Sequence, residues 1–236
     1  MSTLLLRLAG PLQAWGSSSK FTRRNTDPAP TKSGVVGLLA AARGLRRVDP
    51  LEDLLSLRFG VRIDQPGRVE SDFQTARSLD GKAFPLTYRT YLTDAVFLAA
   101  VEGDDSLIEA LDEAVRCPVF PLYLGRRACP PAGPIDLGVR KRTLWEALRD
   151  EPWQASAWYR RGVVAVESLE VRIDAEAVPD DVAGRTVDIQ HDAPVSFDPK
   201  LRVYTSRSVV RVAVPNPDGG NAKPLEHDPM VTLGGV

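Results

Sequence analysis

The chain holds only two cysteines and two histidines in 236 residues: Cys117, Cys129, His191 and His227. No Cys-x-x-Cys occurs and both histidines lie far downstream, which argues against a zinc site or a disulfide scaffold. Long apolar runs are missing too, and none approaches the roughly 20 residues of a membrane-spanning helix. The opening MSTLLLRLAGPLQAWG breaks its apolar stretch at Arg7 and lacks the basic start and long apolar run of a secretory leader. The expected location is therefore the cytoplasm, with no membrane partner. An apolar content of 43% supports a packed core, in one large domain or two small ones.

What the chain does have is arginine, unevenly placed. The formal net charge is −1, yet residues 1–48 carry eight basic groups against Asp27 alone. That segment stands at +7 and leaves −8 for the remainder. A second cluster, Arg126, Arg127, Arg140, Lys141 and Arg142, has only Asp136 close by in sequence. Twenty-four of the thirty cations are arginine, whose planar fork suits bidentate contacts to phosphate. Clustering of this kind outweighs the near-neutral total and points to nucleic acid.

The periodicities predict an α+β fold. TLLLRLAG reads as a strand ending at Gly10-Pro11, and TKSGVVGLLAAARGL as a helix capped by Thr31 or Ser33. LRFGVRIDQPG alternates as a strand. Residues 68–92 contain Asp80-Gly81, a strong hairpin signal, between flanks with little apolar content on either face. Such a hairpin projects from the body or is completed by a partner. DAVFLAAVEG predicts a strand, DSLIEALDEAVR an amphipathic helix and PVFPLYLG another strand. The order is the βαββαβ ferredoxin-like (RRM-like) pattern with an inserted hairpin. It is expected to fill residues 1–134. Residues 135–236 are expected to form a small β-rich C-terminal domain, with a helix RKRTLWEALRD, strands near 163–173, 185–190 and 202–214, and a flexible tail PNPDGGNAKPLEHDP.

Candidate chemistry narrows quickly. GPLQAWGSSSK lacks Gly-Lys-Ser/Thr, which argues against a nucleoside-triphosphate loop. The acids are dispersed, which argues against a metal centre. Metal-free RNA cleavage needs a general base and acid. His191, Lys32, Tyr88, Tyr91 and Tyr123 are the available groups, though tyrosine and lysine titrate far from neutrality without tuning. Binding without catalysis fits more residues. Trp15 sits in a loop among glycines and serines, where it could stack on a base or pack in the core. Phe21, Tyr88 and Tyr91 interleave with Arg23, Arg24 and Arg89, as in single-strand binding. The helix start at Lys32-Ser33 offers free amides to a phosphate. In LYLGRRACPPAGPI, Gly125 permits a sharp turn, and adjacent Arg126 and Arg127 repel unless an anion lies between them or one pairs with Asp136 or Asp94.

Taken together, LLLRLAGPLQAWG, PTKSGVVGLLAAARG, FGVRIDQPG, DFQTAR, TYRTYLTDAVFLAAVEG and PLYLGRRACPP resemble the fifth Cas protein family of subtype I-E, the CasD subunits of the bacterial Cascade CRISPR complex. The match runs in order from residue 4 to about 135. The resemblance implies a repeat-associated (RAMP) RNA-binding fold with a thumb hairpin and a glycine-rich loop. It also implies that the protein caps the 5′ handle of the CRISPR RNA beside the backbone subunit CasC and the large subunit CasA, meeting target DNA only indirectly. On that basis Gln13, Trp15, Lys32, Ser33, Arg126 and Arg127 would shape the handle pocket, with Arg23, Arg24 and Gly125 as further RNA-binding residues. Arg77, Tyr88 and Arg89 would order the handle-to-spacer junction. A related branch of the family cuts RNA with tyrosine, lysine and histidine. This chain has no histidine before residue 191, which favours a non-catalytic subunit without cofactor or metal. A metal-independent repeat endoribonuclease is the alternative.

Overall fold

The leucines of the first strand, β1 (Ser2–Ala9), serve two cores at once. Side chains alternate across a strand, so Leu4, Leu6 and Leu8 enter one apolar cluster while Leu5 enters another. The consecutive leucines at 4, 5 and 6 reflect this double coverage. The structure, a computed structural model, describes residues 1–16, 22–163 and 166–219. Lys20, Phe21, His227 and the expected tail from residue 220 lie outside the described residues.

The other elements follow in chain order: β2 (Leu12–Gln13), β3 (Arg23–Arg24), α1 (Lys32–Ala42), α2 (Glu52–Leu55), β4 (Arg58–Gln65), β5 (Arg68–Gln74), β6 (Thr87–Thr93) and β7 (Val96–Gly103). Then come α3 (Asp105–Arg116), β8 (Asp136–Arg140), α4 (Leu144–Asp150), α5 (Ala157–Gly162), β9 (Ser168–Asp174), β10 (Thr186–Ser196) and β11 (Val203–Pro215). Seven strands form one antiparallel sheet in the order β10-β11-β9-β4-β7-β1-β8. Helices α1 and α3 cover one face, where Leu39, Ile108 and Leu111 meet Leu4, Phe59 and Phe97. Helix α4 covers the other, where Leu144 and Leu148 meet Leu5, Leu98 and Ile173. Each of these helix starts is capped by a side chain that accepts an orphan amide: Thr31 for α1, Asp104 for α3, and Thr143 for α4 in a full capping box with Glu146. Among the described residues no helix is long and apolar enough to cross a membrane.

One expected strand is absent. PVFPLYLG runs as a loop, because Pro118 and Pro121 lack the amide hydrogens that a ladder needs. The loop crosses the end of α1, with the amides of Val119 and Phe120 donating to the carbonyls of Ala42 and Ala41 at 2.9 and 3.3 Å. Its place beside β1 is taken by β8. The strands on either side of residue 135 share one sheet, since β8 joins β1 and β9 joins β4. The boundary expected there falls inside continuous hydrogen bonding.

A smaller sheet is built on β6. One edge pairs antiparallel with β5 through the hairpin, whose tip turns at Gly81 with φ +84. The other edge takes β2 and β3 end to end, β2 antiparallel and β3 parallel. Strand β5 is exposed along nearly its whole length, so it and the hairpin tip stand away from both cores, while Tyr91 and Leu92 at the base of β6 join the first.

Candidate functional site

Three segments distant in sequence meet on β6. Strand β3 lays Arg23 beside Tyr88 and Arg24 beside Arg89. The turn at 124–129 closes on itself through Cys129 N–H to Arg126 O (2.8 Å) and Leu124 N–H to Cys129 O (2.7 Å). It is tied to the end of β2 by Ala14 N–H to Leu124 O (3.1 Å). Gly125 has φ +86, and a Cβ there would fall on the Ala14 carbonyl oxygen. Only glycine accommodates both the left-handed backbone and the close approach.

The twin arginines of this turn diverge. Arg126 donates to the carbonyls of Arg24 (2.7 Å), Thr90 (3.0 Å) and Asn25 (3.4 Å), and its guanidinium lies 4.7 Å from the centre of the Tyr91 ring. Arg126 is therefore a clamp that fixes β3 against β6. Arg127 is exposed. Their repulsion is relieved by main-chain oxygens rather than by an acid: Asp136, one expected partner, is held instead by Arg116 at 2.8 Å. Below the clamp, burial pushes the Cys129 thiol up in pKa against the opposing pull of the Arg126 charge.

Alternation across the small sheet divides the expected contact residues between two faces. On one face Arg24, Arg89 and Asp72 form a row across β3, β6 and β5, on the side where Arg126 covers Tyr91. On the other face Arg23, Tyr88 and Phe73 form the matching row. Tyr88 is 48% and Phe73 63% exposed, an aromatic pair beside a guanidinium. That second face continues toward the body as Val69 and Leu92, which line a cleft of about 520 Å³ with Pro28, Ile63, Tyr159 and Leu169. Arg77 lies apart from both rows, bridged to Ala83 near the hairpin tip.

Other expected contacts point inward. Gln13 is fully buried: its amide donates to the carbonyls of Leu8 (3.1 Å) and Ala95 (2.7 Å), and its oxygen accepts from the Trp15 indole (3.0 Å). Trp15 is 1% exposed and packs on Gly34 of α1. It is a core residue, with its one polar atom satisfied by Gln13, and not a stacking platform. Ser33 is half-buried, its hydroxyl 3.4 Å from that of Thr31. The Lys32 ammonium is held by Asp174 at 3.0 Å, and the Lys32 amide donates to Asp192 at 2.9 Å. The anion at the start of α1 is thus the protein's own Asp192, which takes the place expected for a phosphate.

Lys32 belongs to a buried network that reaches across the large sheet. Arg207 of β11 donates to Asp174 (2.7 Å) and to both oxygens of Asp192 (2.7 and 3.0 Å), and Asp174 accepts the Phe59 amide at 2.8 Å. Two cations and two carboxylates balance. Burial lowers the Arg207 pKa, but the bonds and charges of Asp192 and then Asp174 outweigh it, so the net shift is upward. Sequence reasoning missed Arg207, Asp174 and Asp192, because partners more than a hundred residues from Lys32 leave no local signal. His191, which precedes Asp192, is exposed and reaches the Ser206 hydroxyl at 3.2 Å. It lines a cleft of about 230 Å³ with Pro28, Thr31, Arg172 and Gln190. Among the described residues no group of three or more histidine, cysteine or acidic side chains could hold a metal ion.

Known proteins share this architecture. A family model described as CRISPR-associated protein (Cas_Cas5) matches residues 3–210. The CRISPR system Cascade subunit CasD of Escherichia coli (strain K12) is 39% identical over 159 residues, 58% of this chain and 71% of that protein. A solved structure titled "Crystal structure of Cas protein" is 36% identical with a TM-score of 0.68, covering 91% of this chain and 95% of its own. A chain of a "CRISPR RNA-guided surveillance complex" is 33% identical with a TM-score of 0.69, covering 90% and 91%.

Proposed function

The chain belongs to the CRISPR-associated Cas5 family, and from that premise we propose that it is a non-catalytic RNA-binding subunit of a Cascade-type complex in the cytoplasm. It caps the 5′ handle of the CRISPR RNA. The observation that carries this reading is a group of guanidiniums to which no acid among the described residues is bound, Arg24, Arg89 and Arg127, gathered on and beside β6 by the Arg126 clamp. Single-stranded RNA is held by such cations on its backbone and by exposed aromatics on its bases, and Tyr88 with Phe73 supplies the second element.

In this reading the order β8-β1-β7-β4, with α1 and α3 on one face, is the ferredoxin-like RAMP core. The β5–β6 hairpin is the thumb. Its exposed Leu79 and Phe84, at the tip, suit burial against a backbone subunit, CasC. The large subunit CasA adjoins the body, and target DNA is met through it. Deleting residues 76–84 leaves a folded chain that fails to assemble with the backbone subunit, and normal assembly of that deletion would refute the thumb role.

RNA binding itself is tested by its salt dependence. Contacts to about five phosphates predict a log–log slope near −3.5, at roughly 0.7 per contact on a single strand. An affinity for handle RNA that stayed flat between low and high salt would contradict the basic interface. One observation favours a second reading, a metal-independent repeat endoribonuclease: His191 opens into a cleft beside the start of α1. That reading predicts cleavage of repeat RNA at one site in EDTA, abolished in His191→Ala.

A further inference from the structure

Like charges on directly paired strand positions cost stability, yet Arg24 and Arg89 are such a pair. Neither forms an ion pair among the described residues. The Nε of Arg89 is buried and has no hydrogen-bond partner. A buried donor left unmade is costly and rare in folded proteins, and a bound anion is one way in which such a donor is satisfied. The clamp adds to the imbalance, since the Arg126 guanidinium binds the carbonyl of Arg24 itself. The acid in the same cross-strand row is Asp72, and it bonds neither arginine.

We propose that Arg24 and Arg89 form a seat for one phosphate of a nucleic-acid backbone, which bridges the two guanidiniums and takes up the free Nε–H of Arg89. The proposal rests on the RNA-binding reading above and sharpens it. A guanidinium fork matches two phosphate oxygens and has no means of sensing base or sugar. The seat therefore fixes the position and direction of the strand and leaves sequence to be read elsewhere. The arginine row and the aromatic row lie on opposite faces of the same sheet. A strand anchored at the seat must pass an edge or the tip of the hairpin to stack on Tyr88 and Phe73.

The test is a nitrogen-15 spectrum of the arginine Nε groups of the full chain, with the Arg89 resonance identified by its loss in Arg89→Gln. Added inorganic phosphate should move that resonance saturably, while chloride at equal ionic strength should not. Arg24→Gln should raise the phosphate dissociation constant by about tenfold, the scale of one charge-assisted hydrogen bond. Should Arg89→Gln fail to fold, Arg24→Gln, altered at an exposed position, carries the test through affinity alone. Handle RNA, an unrelated RNA and a DNA of equal length should all move the resonance alike. A resonance unmoved by phosphate overturns the seat. So does one that Asp72→Asn shifts as far as phosphate does, because Asp72 would then be the true partner. Phosphate binding without RNA binding would keep the seat and refute the wider reading, whereas RNA binding that left Arg89 untouched would do the reverse.

Discussion

Arg62 and Arg89 both lie within strands, on β4 and β6, and they differ in what surrounds the guanidinium. Arg62 is fully buried and saturated. It bonds both oxygens of Asp64 at 2.7 and 2.9 Å and the carbonyls of Leu148, Glu151 and Pro152 at 2.8, 2.7 and 2.9 Å. Those carbonyls lie at and just beyond the end of α4, so Arg62 ties the helix to the sheet. Arg89 keeps an unpaired Nε beside a second arginine that holds no acid. The body, through Arg62, Arg207 and Lys32, commits its buried cations to its own carboxylates and carbonyls. The small sheet leaves cations uncommitted. Paired charge holds the fold together, and unpaired charge is what a polyanion can use.

The largest effect expected from breaking this contrast lies in the body. Arg62→Ala strands Asp64 without its partner and should cost about 3–5 kcal/mol in chemical unfolding, as removal of one half of a buried pair does. A loss within the surface range would mean that Arg62 is not the tie it is taken for. Gly125→Ala ranks next. The left-handed backbone and the blocked approach to Ala14 should cost about 1–3 kcal/mol and weaken RNA binding as well, because the displaced turn carries Arg126 and Arg127. A variant that lost stability but kept full affinity would separate the turn from the interface.

The arginines of the small sheet should behave in the opposite way. Arg24→Gln with Arg127→Gln should leave stability within about 0.5 kcal/mol of the parent and reduce the magnitude of the salt slope by about 0.7 for each phosphate no longer held. The smallest effect is a control remote from RNA. Thr143→Ala removes the cap of α4 and should cost about 1 kcal/mol with no change in affinity. The Glu146 carboxyl of the same capping box is held below its usual pKa by the Thr143 amide and then the Thr143 hydroxyl. A depressed carboxyl pKa stabilises the fold above the unfolded value of about 4.3 and loses that contribution as pH falls. The stability difference between the parent and Glu146→Ala should therefore be constant near neutrality and shrink on acidification.

Much of the scaffold was legible in the sequence, for local reasons. Asp105–Arg116 shows its amphipathic period and its cap, and Asp80-Gly81 marks the hairpin turn. PVFPLYLG misled because its apolar content outweighed its two prolines in the reading. The site was legible only in part. Arg23, Arg24 and Arg127 are presented outward, with Arg89 beside Arg24 in the row, but Trp15 and Lys32 turn inward for reasons written far away in the chain. Gly34 makes room for the indole, and Asp174 and Asp192, on β9 and β10, claim the lysine. The division of the basic and aromatic residues between two faces follows from the register of β3 on β6, which no local pattern encodes.

A crosslink map of photoreactive CRISPR RNA on this subunit within its assembled complex tests the account most directly. The account predicts adducts in residues 22–25, 87–91 and 125–128, with Arg62, Lys32 and Arg207 untouched. Adducts concentrated at residues 27–32 and 189–192, around the His191 cleft, with none on β6, would contradict it.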